Sequence, residues 1–134
     1  MFSTDSLTVR TSDGRRVVII EGYTVTRKDG TVVEFPTGMT SDGASTPRAL
    51  WLDLPPFGIY WMAAVSHDGM YRGVGTVNGQ PVTKEFADDT FNEIMEFLGV
   101  PEIDRIRLYE GVHLFGGSSF EEDREAVATA PAVK

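Results

Sequence analysis

Apolar and polar positions alternate along the first third of the chain and then change period. Between Leu7 and Met39, short β-branched runs start at Leu7, Val17, Tyr23 and Thr31 and are separated by turn dipeptides. Period-two patterning of this kind marks half-buried strands. Asp13-Gly14 and Asp29-Gly30 are the strongest hairpin signals, because both residue types tolerate the positive φ of a tight turn. The expected product is a small antiparallel meander closed by Pro36 and Gly38.

Beyond residue 56 the period is helical. Ile59 to Tyr71 is apolar on nearly every side until His67-Asp68, which predicts a central, buried helix. Gly73, Gly75 and Gly79 mark an excursion suited to a short hairpin. Thr83 reads as the N-cap of a second helix running to Leu98, with Gly99 just past its end. Pro101 opens a third helix, with Glu102 and Asp104 in the first turn where the dipole favours acid, ending near Gly116-Gly117. Between the strands and the helices, residues 40–56 form a motif loop headed by Asp42-Gly43-Ala44-Ser45-Thr46-Pro47-Arg48. The fold class is therefore α+β: a single domain over 1–117, with β part 7–39, loop 40–56 and helices 59–116. Residues 118–134, charged and then Ala/Pro-rich, read as a tail.

Composition narrows the functional classes. The chain has 134 residues, enough for one core, and no cysteine, so disulfides, thiolate metal sites and cysteine nucleophiles are excluded. Its net charge of −8 leaves no basic surplus for a phosphate backbone, so nucleic-acid binding is not expected. An acidic surface suits divalent cations or basic partners instead. Neither a signal-peptide pattern nor an apolar run long enough for a membrane span is present, so synthesis and folding in the cytoplasm are expected. The Gly73–Gly79 excursion lacks the lysine and the preceding strand of a phosphate loop.

The chemistry concentrates on the first two helices. At about 100° per residue, Ala87, Phe91, Ile94 and Leu98 form the core stripe of the second helix. Lys84, Asp88 and Met95 flank that stripe, while Asp89 points away, toward solvent. Of the two adjacent acids, Asp88 is the one placed to reach the first helix. There, His67 and Tyr71 share a face at i, i+4, Asp68 and Tyr71 are i, i+3 neighbours, and Ala63 and Ala64 let another helix come close. If the helices pack antiparallel, His67, Asp68 and Asp88 converge. A histidine with two carboxylates suits a divalent metal (Zn, Mn, Fe or Ca), with His113 as a reserve ligand, or a pair in which Asp88 orients His67 as a general base. The same residues also suit a buried structural network. For the loop, Asp42, Gly43, Ser45 and Arg48 either complete a pocket over His67 or form an Asp-Gly turn with Arg48 bridging to Asp88 or Asp68. Trp51 and Trp61 read as core or interface.

Four blocks resemble the signature of a phage and prophage family of unknown function: Asp42-Gly-Ala-Ser-Thr-Pro-Arg48, Ala63-Ala-Val-Ser-His-Asp-Gly-Met-Tyr71, Ala87-Asp-Asp-Thr-Phe91 and Gly99-Val100. Met39 and Ser41 depart from it, where Phe and Thr are usual, and the loop between the helices is long. The resemblance implies phage origin and a shared site, and supplies no activity. His67-Asp68-Gly-Met-Tyr71 is also similar to the H-D-x-x-Y of secreted phospholipases A. In those enzymes a histidine base and a metal-binding aspartate share a helix, and an aspartate on the next helix orients the histidine. The phospholipase cysteines and glycine-rich calcium loop are missing, so Asp42-Gly43 would have to substitute.

Three expectations follow. The favoured one is a virion-associated tail or baseplate component that carries the His-Asp site, contacting other phage structural proteins or its own copies through the C-terminal tail. The second is a metal- or His/Asp-dependent hydrolase acting on the host cell envelope, peptidoglycan or lipid. The third is an accessory protein that counters a host defence.

Overall fold

A computed structural model describes residues 1–4, 7–12, 16–41, 61–115, 117 and 120–121. The chain is α+β, as its periods imply, but its strands form two sheets rather than one meander. The first sheet joins β1 (Val9–Arg10), β2 (Val17–Ile19) and β5 (Thr40–Ser41) in the order β1-β2-β5, with antiparallel pairing. The second joins β3 (Tyr23–Thr26), β4 (Val32–Phe35), β6 (Thr76–Val77) and β7 (Gln80–Pro81) in sequence order. β6 pairs with β4 across the whole of the first helix, a non-local register that local patterning does not encode.

The hairpin signals resolve differently. β3 and β4 flank Asp29-Gly30 as expected, but only Gly30 has positive φ, 90°. Asp29 instead accepts the Thr31 N–H on its carboxylate (2.9 Å), while Gly30 N–H reaches Arg27 O (2.9 Å). The two-residue turn with both φ positive is Asn78-Gly79, at 51° and 77°, between β6 and β7. β1 and β2 pair around Asp13-Gly14, which lies outside the described residues.

Strand alternation buries Val17 and Ile19 from β2, Tyr23 and Val25 from β3, and Val33 and Phe35 from β4. Over this apolar surface lies α1 (Trp61–Tyr71), whose residues from Ala63 to Tyr71 are all buried, as its all-round apolar pattern predicts. Residues 59–60 of the predicted helix lie outside the described residues. α2 (Lys84–Phe97) packs on α1, and α3 (Glu102–Phe115) packs on α2.

The helix ends follow their sequence signals. Thr83 caps α2 by accepting Phe86 N–H (3.1 Å). α1 and α2 both end in a glycine at positive φ, Gly73 at 77° and Gly99 at 81°. In each case the next residue's N–H reaches back a full turn, Val74 to Gly69 O and Val100 to Met95 O, both 3.0 Å. Pro101 accepts Arg105 N–H (2.9 Å) where α3 begins. The β3–β4 turn is fixed to α2 by Arg27, paired with Glu93 at 2.8 Å and stacked over Phe86, and by Lys28 N–H to Glu93 (2.8 Å). The sheet therefore sets the position of the helix that carries Asp88.

Candidate functional site

The seam between α1 and α2 contains a charged network with no water-exposed surface at its centre. His67 and Asp88 are both 0% exposed. Ala63, Ala64 and Ala87 are buried on these two helices, and side chains this small permit a close approach. Asp88 Oδ1 lies 2.8 Å from His67 Nε2 and accepts the Tyr71 hydroxyl at 2.7 Å. Its other oxygen accepts Lys84 Nζ at 2.7 Å. Lys84 also donates to Val112 O (3.1 Å) and His113 O (3.0 Å), which ties the network to the C-terminal half of α3. The His67 ring lies against Tyr71 and Phe91, with centroids 4.1 and 4.7 Å away.

Burial works against the Asp88 charge and is the largest single influence on it. The hydrogen bonds from His67, Lys84 and Tyr71 outweigh it and hold the carboxyl below its ordinary range. Asp88 is thus an anion with both oxygens committed to donors. In the neutral imidazole, a proton on Nε2 satisfies that contact and leaves the lone pair on Nδ1. Nδ1 is buried and has no hydrogen-bond partner among the described residues.

Of the residues singled out from sequence, His67, Tyr71 and Asp88 meet as the helical spacing implied. Asp68 is buried as well, and its carboxylate lies 3.9 Å from the Arg72 guanidinium. Among the described residues, no three His, Asp or Glu side chains group as a cation site. Asp88 accepts three donors, so both of its oxygens are committed within the network. His113, the reserve ligand, is half-exposed; its Nδ1 lies 3.9 Å from Asp88, and its ring stacks on Tyr109. Asp42, Gly43, Ser45, Arg48 and Trp51 lie outside the described residues. Trp61 is half-buried against the core.

Two placements differ from the sequence reading. Asp89 does not point into solvent: it is partly buried and accepts the Tyr109 hydroxyl from α3 at 2.8 Å. The helical wheel placed it opposite α1 correctly, but α3 occupies that side. The sequence places Lys84 on the Asp88 flank and gives it no role; its i, i+4 spacing to Asp88 is the signal for one. Phe120, beyond the expected end of the third helix, sets its ring edge-on to Tyr71 at 5.2 Å.

Comparison with known proteins adds one finding. Residues 17–112 match the model of a family described as protein of unknown function (DUF1353). No curated protein and no solved structure matches. No helix among the described residues is long and apolar enough to cross a membrane.

Proposed function

Because the chain belongs to the DUF1353 family, whose description assigns no chemistry, we propose from the site, and from the phage resemblance of the sequence blocks, that it is a bacteriophage hydrolase acting on the host cell envelope. In this reading His67 is the general base and Asp88 its orienting carboxylate. The observation that carries it is the Nδ1 atom of His67, a buried nitrogen without a hydrogen-bond partner among the described residues, on a ring whose other nitrogen is fixed by a carboxylate. A buried polar atom left unsatisfied costs about 1–3 kcal/mol, and such atoms call for an explanation in use.

The proposed step is a proton transfer. Nδ1 takes a proton from water as the water oxygen bonds to an acyl carbon of peptidoglycan or lipid. It returns that proton to the leaving oxygen or nitrogen as the scissile bond breaks. Asp88 stabilises the imidazolium between the two events, while Tyr71 and Lys84 hold the carboxylate in place. In the phospholipase likeness Asp68 would bind a divalent cation; the proton transfer described here uses only His67 and Asp88. Because His67 is fully buried, water reaches Nδ1 only when the structure over it opens.

The test compares wild type with His67→Gln on phospholipid vesicles and on purified peptidoglycan. Release of fatty acid or of peptidoglycan fragments by wild type, reduced by about 10²-fold or more in a folded His67→Gln, supports the reading. A stable wild-type protein inactive on both substrates removes it. Complete burial of His67 and Asp88 favours a second reading, in which the network is purely structural and the protein is a tail or baseplate component. That reading predicts fixed copy numbers in purified phage particles.

A further inference from the structure

The His67–Asp88 network is closed from the α3 side by three contacts. Lys84 Nζ donates to Val112 O (3.1 Å) and His113 O (3.0 Å). His113 sets its Nδ1 3.9 Å from Asp88 Oδ2. Phe120, just after α3, lies edge-on to the Tyr71 ring at 5.2 Å, and Tyr71 in turn lies 4.1 Å from the His67 ring.

The elements around the network are held unequally. α1 is buried from Ala63 to Tyr71. α2 is fixed to the β3–β4 turn through Glu93, which pairs with Arg27 and accepts the Lys28 N–H. α3 packs on α2, and toward its N-terminal half it is tied there by Arg105 to Asn92 (3.4 Å) and Tyr109 to Asp89 (2.8 Å). Toward its C-terminal half the tie is Lys84, whose two acceptors on α3 are neutral carbonyls. The Lys84 side chain is 23% exposed, so water stands close to this seam already. If the two helices part there, the ammonium keeps its Asp88 partner at 2.7 Å and exchanges two carbonyls for water, which is a near-even exchange of hydrogen bonds. The remaining hold is apolar, from buried Val112 and from Phe120 on Tyr71.

We propose that the C-terminal half of α3, with Phe120, is a gate over the His67–Asp88 network, latched by Lys84 and opening while α1, α2 and the sheets stay folded. Opening uncovers Lys84, the Oδ2 side of Asp88 and the Tyr71 ring, and leads water to His67 past Tyr71. The gate rests on the hydrolase reading for its use, because it supplies the opening that a fully buried base requires. Units of this kind, which open below the free energy of global unfolding, are a general property of folded domains.

Native-state hydrogen exchange of the full chain, together with modification by diethyl pyrocarbonate, tests it. The chain has two histidines, and half-exposed His113 serves as the internal reference for His67. In wild type, amides of residues 110–115 exchange with a smaller denaturant dependence than those of α1. Val33→Ala weakens packing that the opened state retains. It speeds α1 exchange about tenfold or more and leaves residues 110–115 and His67 modification unchanged. Phe120→Ala removes a contact that the opened state lacks, and speeds both residues 110–115 and His67 modification by one common factor of about ten. Circular dichroism confirms folding, and Val25→Ala, at another buried strand position, replaces Val33→Ala if that variant does not fold. Exchange of residues 110–115 that rises with α1 in Val33→Ala overturns the gate, because α3 then opens only with the whole protein. So does His67 modification indifferent to Phe120→Ala. No substrate enters the experiment, so it decides the gate separately from hydrolysis.

Discussion

Asp88 and Asp89 are adjacent on one helix and serve two different seams. Asp88 faces α1, has no exposed surface, and accepts from His67, Tyr71 and Lys84. Asp89 faces α3, is partly exposed, and accepts from the Tyr109 hydroxyl. Its effect is felt on that partner: the hydrogen bond to Asp89, then burial and nearby acids, push the Tyr109 hydroxyl up to about 12. Residue type does not separate these two carboxylates. A 100° step along the helix does, together with the number of donors each meets and the water each can reach.

The largest consequence is in stability. Asp88→Ala leaves a buried imidazole, a hydroxyl and an ammonium without their acceptor, and is expected to cost about 3–5 kcal/mol. Asp89→Ala removes one partly solvated hydrogen bond and is expected to cost about 0.5–1.5 kcal/mol. Urea denaturation of the two variants measures both, and equal losses would erase the contrast between the seams.

A second difference is in acid. The folded-state pKa of Asp88 lies below its ordinary 3.8, so its ionised form favours the folded protein. That contribution is complete above pH 3.8 and disappears as pH falls through the lower folded value. Stability of the wild type should therefore drop more steeply below about pH 4 than that of Asp88→Asn, which lacks the titrating group. Parallel curves from denaturation between neutral and acid pH would show that the network contributes nothing there.

Much of this was legible because it is local. Thr83, Gly99 and Pro101 mark helix ends through contacts within a few residues, and the structure places all three where the pattern did. His67, Tyr71 and Asp88 were legible because a helix converts spacing into direction. The two-sheet arrangement was not, since the pairing of Glu34 with Thr76 joins residues on either side of α1. The surroundings of Asp89 are hidden for a related reason: the period of α2 gives its direction but not what stands there, and Tyr109 arrives from a separate helix. The Asn78-Gly79 turn is readable from its dipeptide, and both of its central φ values are positive.

The smallest effect sharpens the outer seam. In Asp89→Asn the Tyr109 ionisation should move from about 12 back toward the ordinary tyrosine value of 10, read by ultraviolet titration. The sign follows from the cause: without the carboxylate, the phenol keeps only a weaker, uncharged acceptor and the phenolate loses a repelling charge. An unshifted titration would mean that Asp89 does not control that hydroxyl.

The central claim is that Asp88 fixes the His67 ring so that Nδ1 carries the open lone pair. Long-range ¹H–¹⁵N correlation spectra of ¹⁵N-labelled protein at neutral pH read the tautomer directly. The account predicts a protonated Nε2, hydrogen-bonded to Asp88, and an unprotonated Nδ1. A neutral ring with its proton on Nδ1 would contradict it, because Nε2 would then have no hydrogen to give the carboxylate and the base would face the wrong way.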